Sequence, residues 1–311
     1  MPELPEVETV RAGLAPSITN ATIKSVEVFE PRSLRRHPGT VANFVAELEG
    51  RRVLGCVRRG KFLWMPLGDS TGSNAQAQPT GLALVGHLGM SGQVLLRTPD
   101  YEPDKLTRVV IHFESAGARY EFRFVDQRIF GGLAIDQMIA TQDSASGGFH
   151  PEVSKASWMN TIPQSVAHIA RDPLDPDFDL SAVIVKMRTK STGIKHALLD
   201  QGLVSGIGNI YADEALWRSK LFYDRQCSEI SVAKLKELFA NVHVILEAAV
   251  KQGGTSFDEQ YKNVNGESGY FSQTLNAYGQ TGLPCARCGT SIRREAWANR
   301  GSHFCPRCQR R

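Results

Sequence analysis

Six cysteines occur in the 311 residues, and four of them, Cys285, Cys288, Cys305 and Cys308, fall within the last 27. Their spacing, Cys-x2-Cys-x16-Cys-x2-Cys, places two thiolates on each of two turns, and two such turns complete a tetrahedron around Zn2+. Four protein ligands leave no position for water, so one structural zinc is expected, folding a segment too small to hold itself together. An extracellular disulfide scaffold would spread its cysteines over a shorter chain. Cys56 and Cys227 stand alone and read as small buried hydrophobes. Positive charge gathers around the cysteine module. Residues 285–311 hold seven arginines against one acid, a net +6, and residues 186–195 hold Lys186, Arg188, Lys190 and Lys195 with no acid. On a chain of net charge +4, two such segments imply a polyanionic partner. Arg293, Arg294 and Arg300 lie between the cysteine pairs, on an expected β-hairpin that can enter a groove and grip phosphate bidentately.

These residues need elements to position them. The length fits about two domains, and 41% hydrophobic residues suffice for real cores. No apolar run reaches membrane-spanning length, and the start, MPELPEVETV, lacks the basic and apolar regions of a secretory signal. The expected location is therefore the cytoplasm, with no membrane partner. Residues 1–18 read as a helix. Pro5 suits its first turn, Glu6 and Glu8 suit its positive end, and Val7, Val10, Leu14 and Ile18 recur at helical spacing. Eight short β-branched or aromatic runs between 22 and 135, from TIKSVEVFE to GGLAID, predict a two-layer β-sandwich, with a short helix near 41–49. RRVLGCVRR reads as one strand, and residues 68–81 as an exposed loop. Beyond 164 the pattern is helical: a helix capped by Asp179 or Ser181, then IKHALLD, NIYADEALWRS and an amphipathic helix over 231–252 that stops at Gly253-Gly254. Gly202, Gly206 and Gly208 predict a tight double turn between two of these helices.

Taken in order, four motifs resemble the formamidopyrimidine-DNA glycosylases. They are Pro2-Glu3-Leu4-Pro5-Glu6-Val7-Glu8-Thr9, His87-Leu88-Gly89-Met90-Ser91-Gly92, Gly206-Ile207-Gly208-Asn209-Ile210-Tyr211-Ala212, and Cys285 to Gln309 with Arg300 five residues before Cys305. They span essentially the whole chain. The resemblance implies an α+β, bilobal fold: an N-terminal β-sandwich with a leading helix, then a helical helix-two-turns-helix domain ending in the four-cysteine zinc-finger β-hairpin. The expected boundaries are 1–140 for the catalytic domain, 141–163 for a linker, 164–280 for the helical domain with its lesion loop, and 281–311 for the zinc finger. It also implies a monomer in base excision repair, binding double-stranded DNA that contains oxidised bases or abasic sites. The implied activity is removal of 8-oxoguanine and formamidopyrimidines, with strand cleavage by β,δ-elimination.

The roles follow from the same resemblance. Pro2, freed by removal of Met1, is the nucleophile that attacks the sugar C1′. An α-amino group with pKa roughly 8 is about a tenth neutral at pH 7, against under a thousandth for lysine. Glu3 is the general acid/base. Lys61, at the head of a strand, binds phosphate and donates a proton, and Arg300 clamps phosphate. A base must be flipped to be reached; Met90, Arg128 and Phe130 then fill the hole, and Arg128 meets the orphaned cytosine. Asn209, with backbone amides of the double turn, is aimed at phosphate, as are Lys190 and Arg108. Glu8 reads as helix-surface charge. The stretch from Gly253 to Phe271 resembles the loop that covers the flipped purine. Ile129 departs from the family, many of whose members carry a second arginine there. Residues 68–81 and 141–150 look like insertions. Two alternatives remain open: an oxidised-pyrimidine glycosylase of the same fold, and a non-catalytic DNA-binding homologue.

Overall fold

The computed structural model describes residues 2–69, 77–255, 263–267 and 269–311. The chain divides into two compact units. The first takes Pro2, Glu6–His168 and Thr255–Gly269, and the second takes Glu3–Pro5, Ile169–Gly254 and Tyr270–Arg311.

Helix α1 (Leu4–Ile18) opens the fold, and Val7, Val10, Leu14 and Ile18 form its buried stripe, as their spacing predicts. The strands of the first unit are β1 (Thr22–Val28), β2 (Arg52–Val53), β3 (Val57–Arg59), β4 (Phe62–Gly68), β5 (Pro79–His87), β6 (Gly92–Arg97), β7 (Thr107–Ser115), β8 (Ala118–Asp126), β9 (Gly132–Ala140) and β10 (Thr161–Pro163). They pair antiparallel in the order β10-β9-β5-β4-β2-β1-β7-β8-β6, with β3 on β4. β2 meets β1 at a single residue pair, Thr22 with Arg52, and β4 at two. The narrow β2 therefore joins two broad layers. Leu63, Met65, Leu84, Leu133 and Ile135 of one layer share a core with Val94, Val109, Ile111, Phe122 and Phe124 of the other. Helix α2 (Val41–Leu48) is closed by a Thr40–Asn43 capping box and buries Phe44 and Leu48.

The second unit contains α3 (Leu180–Arg188), α4 (Ile194–Leu199), α5 (Asn209–Arg218), α6 (Val232–Lys251) and the hairpin β11 (Arg293–Trp297) and β12 (Arg300–Phe304). Asp179 caps α3 through Ala182 N–H, and Ser231 caps α6 through Lys234 N–H. The hairpin turns on Ala298 and Asn299, both at positive φ, the geometry of a type I′ turn. Phe304 of β12 packs edge-on against Phe222, so the hairpin shares the helical core.

The structure departs from the sequence reading in four places. RRVLGCVRR breaks into β2 and β3 around Leu54-Gly55-Cys56. Residues 141–163, expected as a linker, are packed into the first unit. Phe149 exchanges backbone hydrogen bonds with Arg58, Trp158 is buried, and β10 pairs with β9. Thr255–Gly269, expected with the helical domain, belongs to the first unit. There Val264 is buried in the sandwich core beside Gly13, and its carbonyl accepts Leu96 N–H at 2.9 Å. Gly68 and Pro79–Gly81 are strand residues rather than loop; residues 70–76 lie outside the described residues, as do 256–262 and 268 of the lesion-loop stretch. Among the described residues, no helix is long and apolar enough to cross a membrane.

Candidate active site and nucleic-acid interface

Pro2 and Glu3 are both buried at the start of α1. The Glu3 carboxylate accepts N–H bonds from Gly208 at 2.7 Å, Ile210 at 2.9 Å and Tyr211 at 3.4 Å, the open amides at the N-terminus of α5. Leu4 N–H donates to the Gly206 carbonyl at 3.0 Å. The glycines are required here. Gly206 has φ +86 and lies against Leu4, and a Cβ on Gly208 would overlap the Glu3 carboxyl. The sequence reading aims these amides at phosphate; the structure gives three of them to Glu3.

Asn209 is the first residue of α5, and its Nδ2 donates to the Gly301 carbonyl at 3.0 Å. Gly301 follows Arg300, whose side chain is exposed at the head of β12. The same carbonyl accepts from Lys195 Nζ, which also reaches Asp213 at 2.6 Å and Ser302 Oγ at 2.8 Å. Asp213 in turn accepts from His303 N–H at 2.9 Å. Lys195 and Asp213 are fully buried, so residues 186–195 do not form one exposed basic strip. Burial lowers the Lys195 pKa, and Asp213 opposes that shift. Lys186 and Arg188 are exposed, while Lys190 is ion-paired with Asp200 at 2.9 Å.

The Sγ atoms of Cys285, Cys288, Cys305 and Cys308 lie within 4.8 Å of one another. Tetrahedral Zn–S bonds of about 2.3 Å need sulfurs about 3.8 Å apart, so the four thiolates fit zinc. Trp217 Nε1 donates to Cys285 Sγ at 3.3 Å, and Arg287 covers the Trp217 ring at 4.3 Å. Apart from cysteines, Ile292 is the buried apolar residue of this small cluster, so the metal is the module's organising centre. Elsewhere burial pushes the Cys56 thiol up to about 12 and the Cys227 thiol up to about 11, which leaves both unreactive at neutral pH.

In the first unit Lys61 follows Gly60, φ +56, in the two-residue turn between β3 and β4. Lys61, Arg35 and Arg36 set a positive field around His87. Burial, followed by those three cations, holds the His87 pKa down at about 4, so the ring is neutral at physiological pH. Beneath this turn Glu8 is buried, not on the helix surface. It accepts from Arg11 Nε at 3.0 Å and Arg58 Nε at 2.8 Å, and Arg11 also reaches Glu152 at 2.7 Å. This network ties α1 to β3. Met90, Arg128 and Phe130 project from two adjoining loops, and all three side chains are exposed. Arg108 does not face outward freely: its Nε donates to the Asp126 carbonyl at 2.8 Å.

Three family profiles match parts of the chain: the formamidopyrimidine-DNA glycosylase N-terminal domain at residues 1–133, the H2TH domain of the same enzymes at 169–260, and the zinc finger found in Fpg and IleRS at 282–311. A formamidopyrimidine-DNA glycosylase of Leifsonia xyli is 50% identical over 311 residues, covering 100% of both chains. The chain belongs to the formamidopyrimidine-DNA glycosylase family. A Kineococcus radiotolerans enzyme of that name is 48% identical, over 99% of this chain and 97% of its own. Among solved structures, MutM in complex with DNA containing carbocyclic 8-oxoG aligns with TM-score 0.78 and 30% identity, covering 100% of both chains. A Lactococcus lactis Fpg variant bound to Fapy-dG DNA aligns with TM-score 0.79 and 30% identity, again over 100% of both.

For a member of this family, each unit gathers its own part of the expected site. The second unit brings Glu3, Asn209 and the head of β12 with Arg300 together at the N-terminus of α5, while the zinc cysteines pack near the other end of that helix, at Trp217. The first brings Met90, Arg128 and Phe130 together, and places Lys61 near enough to His87 for its charge to act on that ring. Asp213, Asp126, Arg35 and Arg36 carry no mark of a site role in the sequence, and Lys195 stands there only as one cation of the basic segment at residues 186–195. Asp213 is visible only as a residue of a helix-forming segment, and nothing in its spacing from Lys195 marks a buried pair.

Proposed function

We propose that the chain is a bifunctional DNA glycosylase and abasic-site lyase that acts in the cytoplasm, as a monomer, on double-stranded DNA. In this reading it removes 8-oxoguanine and formamidopyrimidines. The neutral Pro2 nitrogen attacks C1′, the bond to the damaged base breaks, and an iminium links Pro2 to the opened sugar. Glu3 moves the protons of base departure and ring opening. Lys61 and Arg300 hold phosphate, and the strand is then cleaved by β,δ-elimination. The observation that carries the reading is the Glu3 carboxylate, oriented by three amides of the α5 N-terminus and covalently next to Pro2. Relatives and structural neighbours named for formamidopyrimidine, 8-oxoG and Fapy-dG support the substrate class.

Borohydride trapping on an 8-oxoguanine duplex tests it. The expected result is a covalent adduct that peptide mass spectrometry locates at Pro2. Protein carrying an extra residue ahead of Pro2 should give none. An equal yield from the extended protein would overturn the assignment, and preference for thymine glycol would move the substrate to oxidised pyrimidines.

A further inference from the structure

Two large apolar side chains, Met90 and Phe130, are 47% and 45% exposed, and they stand on a loop pair whose base, at Ser91 and Asp126, is buried. At its centre is Asp126, the last residue of β8, with no exposed surface. Its Oδ1 accepts N–H bonds from Arg128 and Ile129, both at 3.0 Å, and its Oδ2 accepts from Gly131 at 2.8 Å. Oδ1 also accepts the Ser91 hydroxyl at 2.5 Å. Ser91 follows Met90, and its Oγ receives a second bond from Arg128 N–H at 3.3 Å. One carboxylate thus holds the loop that carries Arg128 and Phe130 and reaches across to the loop that carries Met90.

The bonds hold a backbone that would not persist alone. Ile129 has φ +55, a left-handed conformation that costs a β-branched residue free energy. Gly89, at φ +63, lies so close to the Phe130 carbonyl group that no Cβ would fit. The carbonyls of Ile129 and Phe130 accept from the Arg35 guanidinium. Asp126 takes the N–H groups of the tip and Arg35 takes its carbonyls, so the tip is fixed from both sides. A wedge must resist recoil when a base stack pushes on it, and a short loop at positive φ would yield without such bonds.

We infer that Asp126 is a positioning residue that pre-organises Met90, Arg128 and Phe130 as one rigid wedge, for use against the stack of duplex DNA. The inference rests on the proposed function, which supplies the wedge with a task. It separates two activities. Opening a paired duplex needs the wedge, whereas cleavage at an abasic site in single-stranded DNA has no partner base to displace. Asn at this position keeps the size but replaces one acceptor oxygen by an NH2 group that faces N–H donors.

Asp126→Asn and Ser91→Ala should be compared with the parent protein on an 8-oxoguanine:cytosine duplex and on a single-stranded abasic oligonucleotide, with 2-aminopurine beside the lesion reporting base eversion. Loss of a charge-assisted buried network predicts a fall of about 30-fold in duplex excision and eversion for Asp126→Asn, and about 5-fold for Ser91→Ala. Single-strand cleavage should stay within about 3-fold of the parent, and the preference for cytosine opposite the lesion should flatten, each rate read against the same barrier scale. If both activities fall together, or neither does, the inference is wrong. If Asp126→Asn fails to fold, the Ser91→Ala comparison alone decides. An inactive parent protein would instead defeat the proposed function.

Discussion

Gly208 shows how a single missing side chain can serve a reaction. Its bare Cα lets the Glu3 carboxyl sit on the α5 amides. Gly208→Ala should therefore displace the carboxylate and lower single-turnover base release by about 100-fold, the scale of a lost general acid. The thermal midpoint should move far less, and an unchanged rate would show that Glu3 needs no such seat. His87 makes a second prediction at this scale. Its folded pKa of about 4 lies below the ordinary value of 6.5, so the unfolded chain binds more protons between those pH values. Stability from this residue is present above pH 6.5 and is lost as pH falls towards 4, up to roughly 3 kcal/mol. Denaturant midpoints of parent and His87→Gln should converge across that window. NMR should find the ring neutral at pH 6. His87 Nδ1 also accepts Gly89 N–H, so acid should disturb the Met90 turn as well.

At the scale of elements, α4 and α5 are joined by the buried Lys195–Asp213 charge pair, and Lys195 also hydrogen-bonds the zinc hairpin at Gly301 and Ser302. Removing one partner of a buried pair strands the other, at a cost of about 3–5 kcal/mol. Lys195→Ala should destabilise the second unit by that order in urea titrations, because Asp213 keeps its burial and loses Nζ. The zinc prediction is related but distinct. Cys288→Ser or chelation should release the module around Cys285, Ile292 and Cys305 and abolish DNA binding. Since Phe304 belongs to the helical core, the second unit should also loosen, while the sandwich core, which contains no residue of the hairpin, stays folded. Hydrogen exchange resolved by peptide would check both parts. Tight DNA binding by zinc-free protein would contradict the first.

For the whole molecule, charge placement matters more than the net +4. Neutralised phosphates make affinity fall with salt, with a slope of about −0.9 per contact. Arg300→Ala should reduce the slope of log K against log salt by about 1. Lys195→Met should leave the slope unchanged, because Nζ is buried among protein partners. Fluorescence anisotropy at several salt concentrations measures both. An equal loss of slope in the two variants would place Lys195 on the DNA.

The sequence by itself determined the ligands, the element types and the family. Cysteine spacing encodes a tetrahedron locally, the apolar periods of α1 and α6 encode their buried faces, and Asp179 and Ser231 cap helices within three residues of themselves. These are short-range relations, carried by neighbours in the chain. Only the tertiary structure decided where the long-range charges go. Glu8 reads as surface charge until Arg58, fifty residues away, reaches it. Lys195 reads as part of a basic strip until Ser302 encloses it. Val264 has no amphipathic neighbour to mark it as core, and only the space at Gly13 explains its burial. Asp126 resembles any strand-ending acid until four donors converge on it. Burial and partner choice depend on which segments meet in space, and no local pattern contains that information.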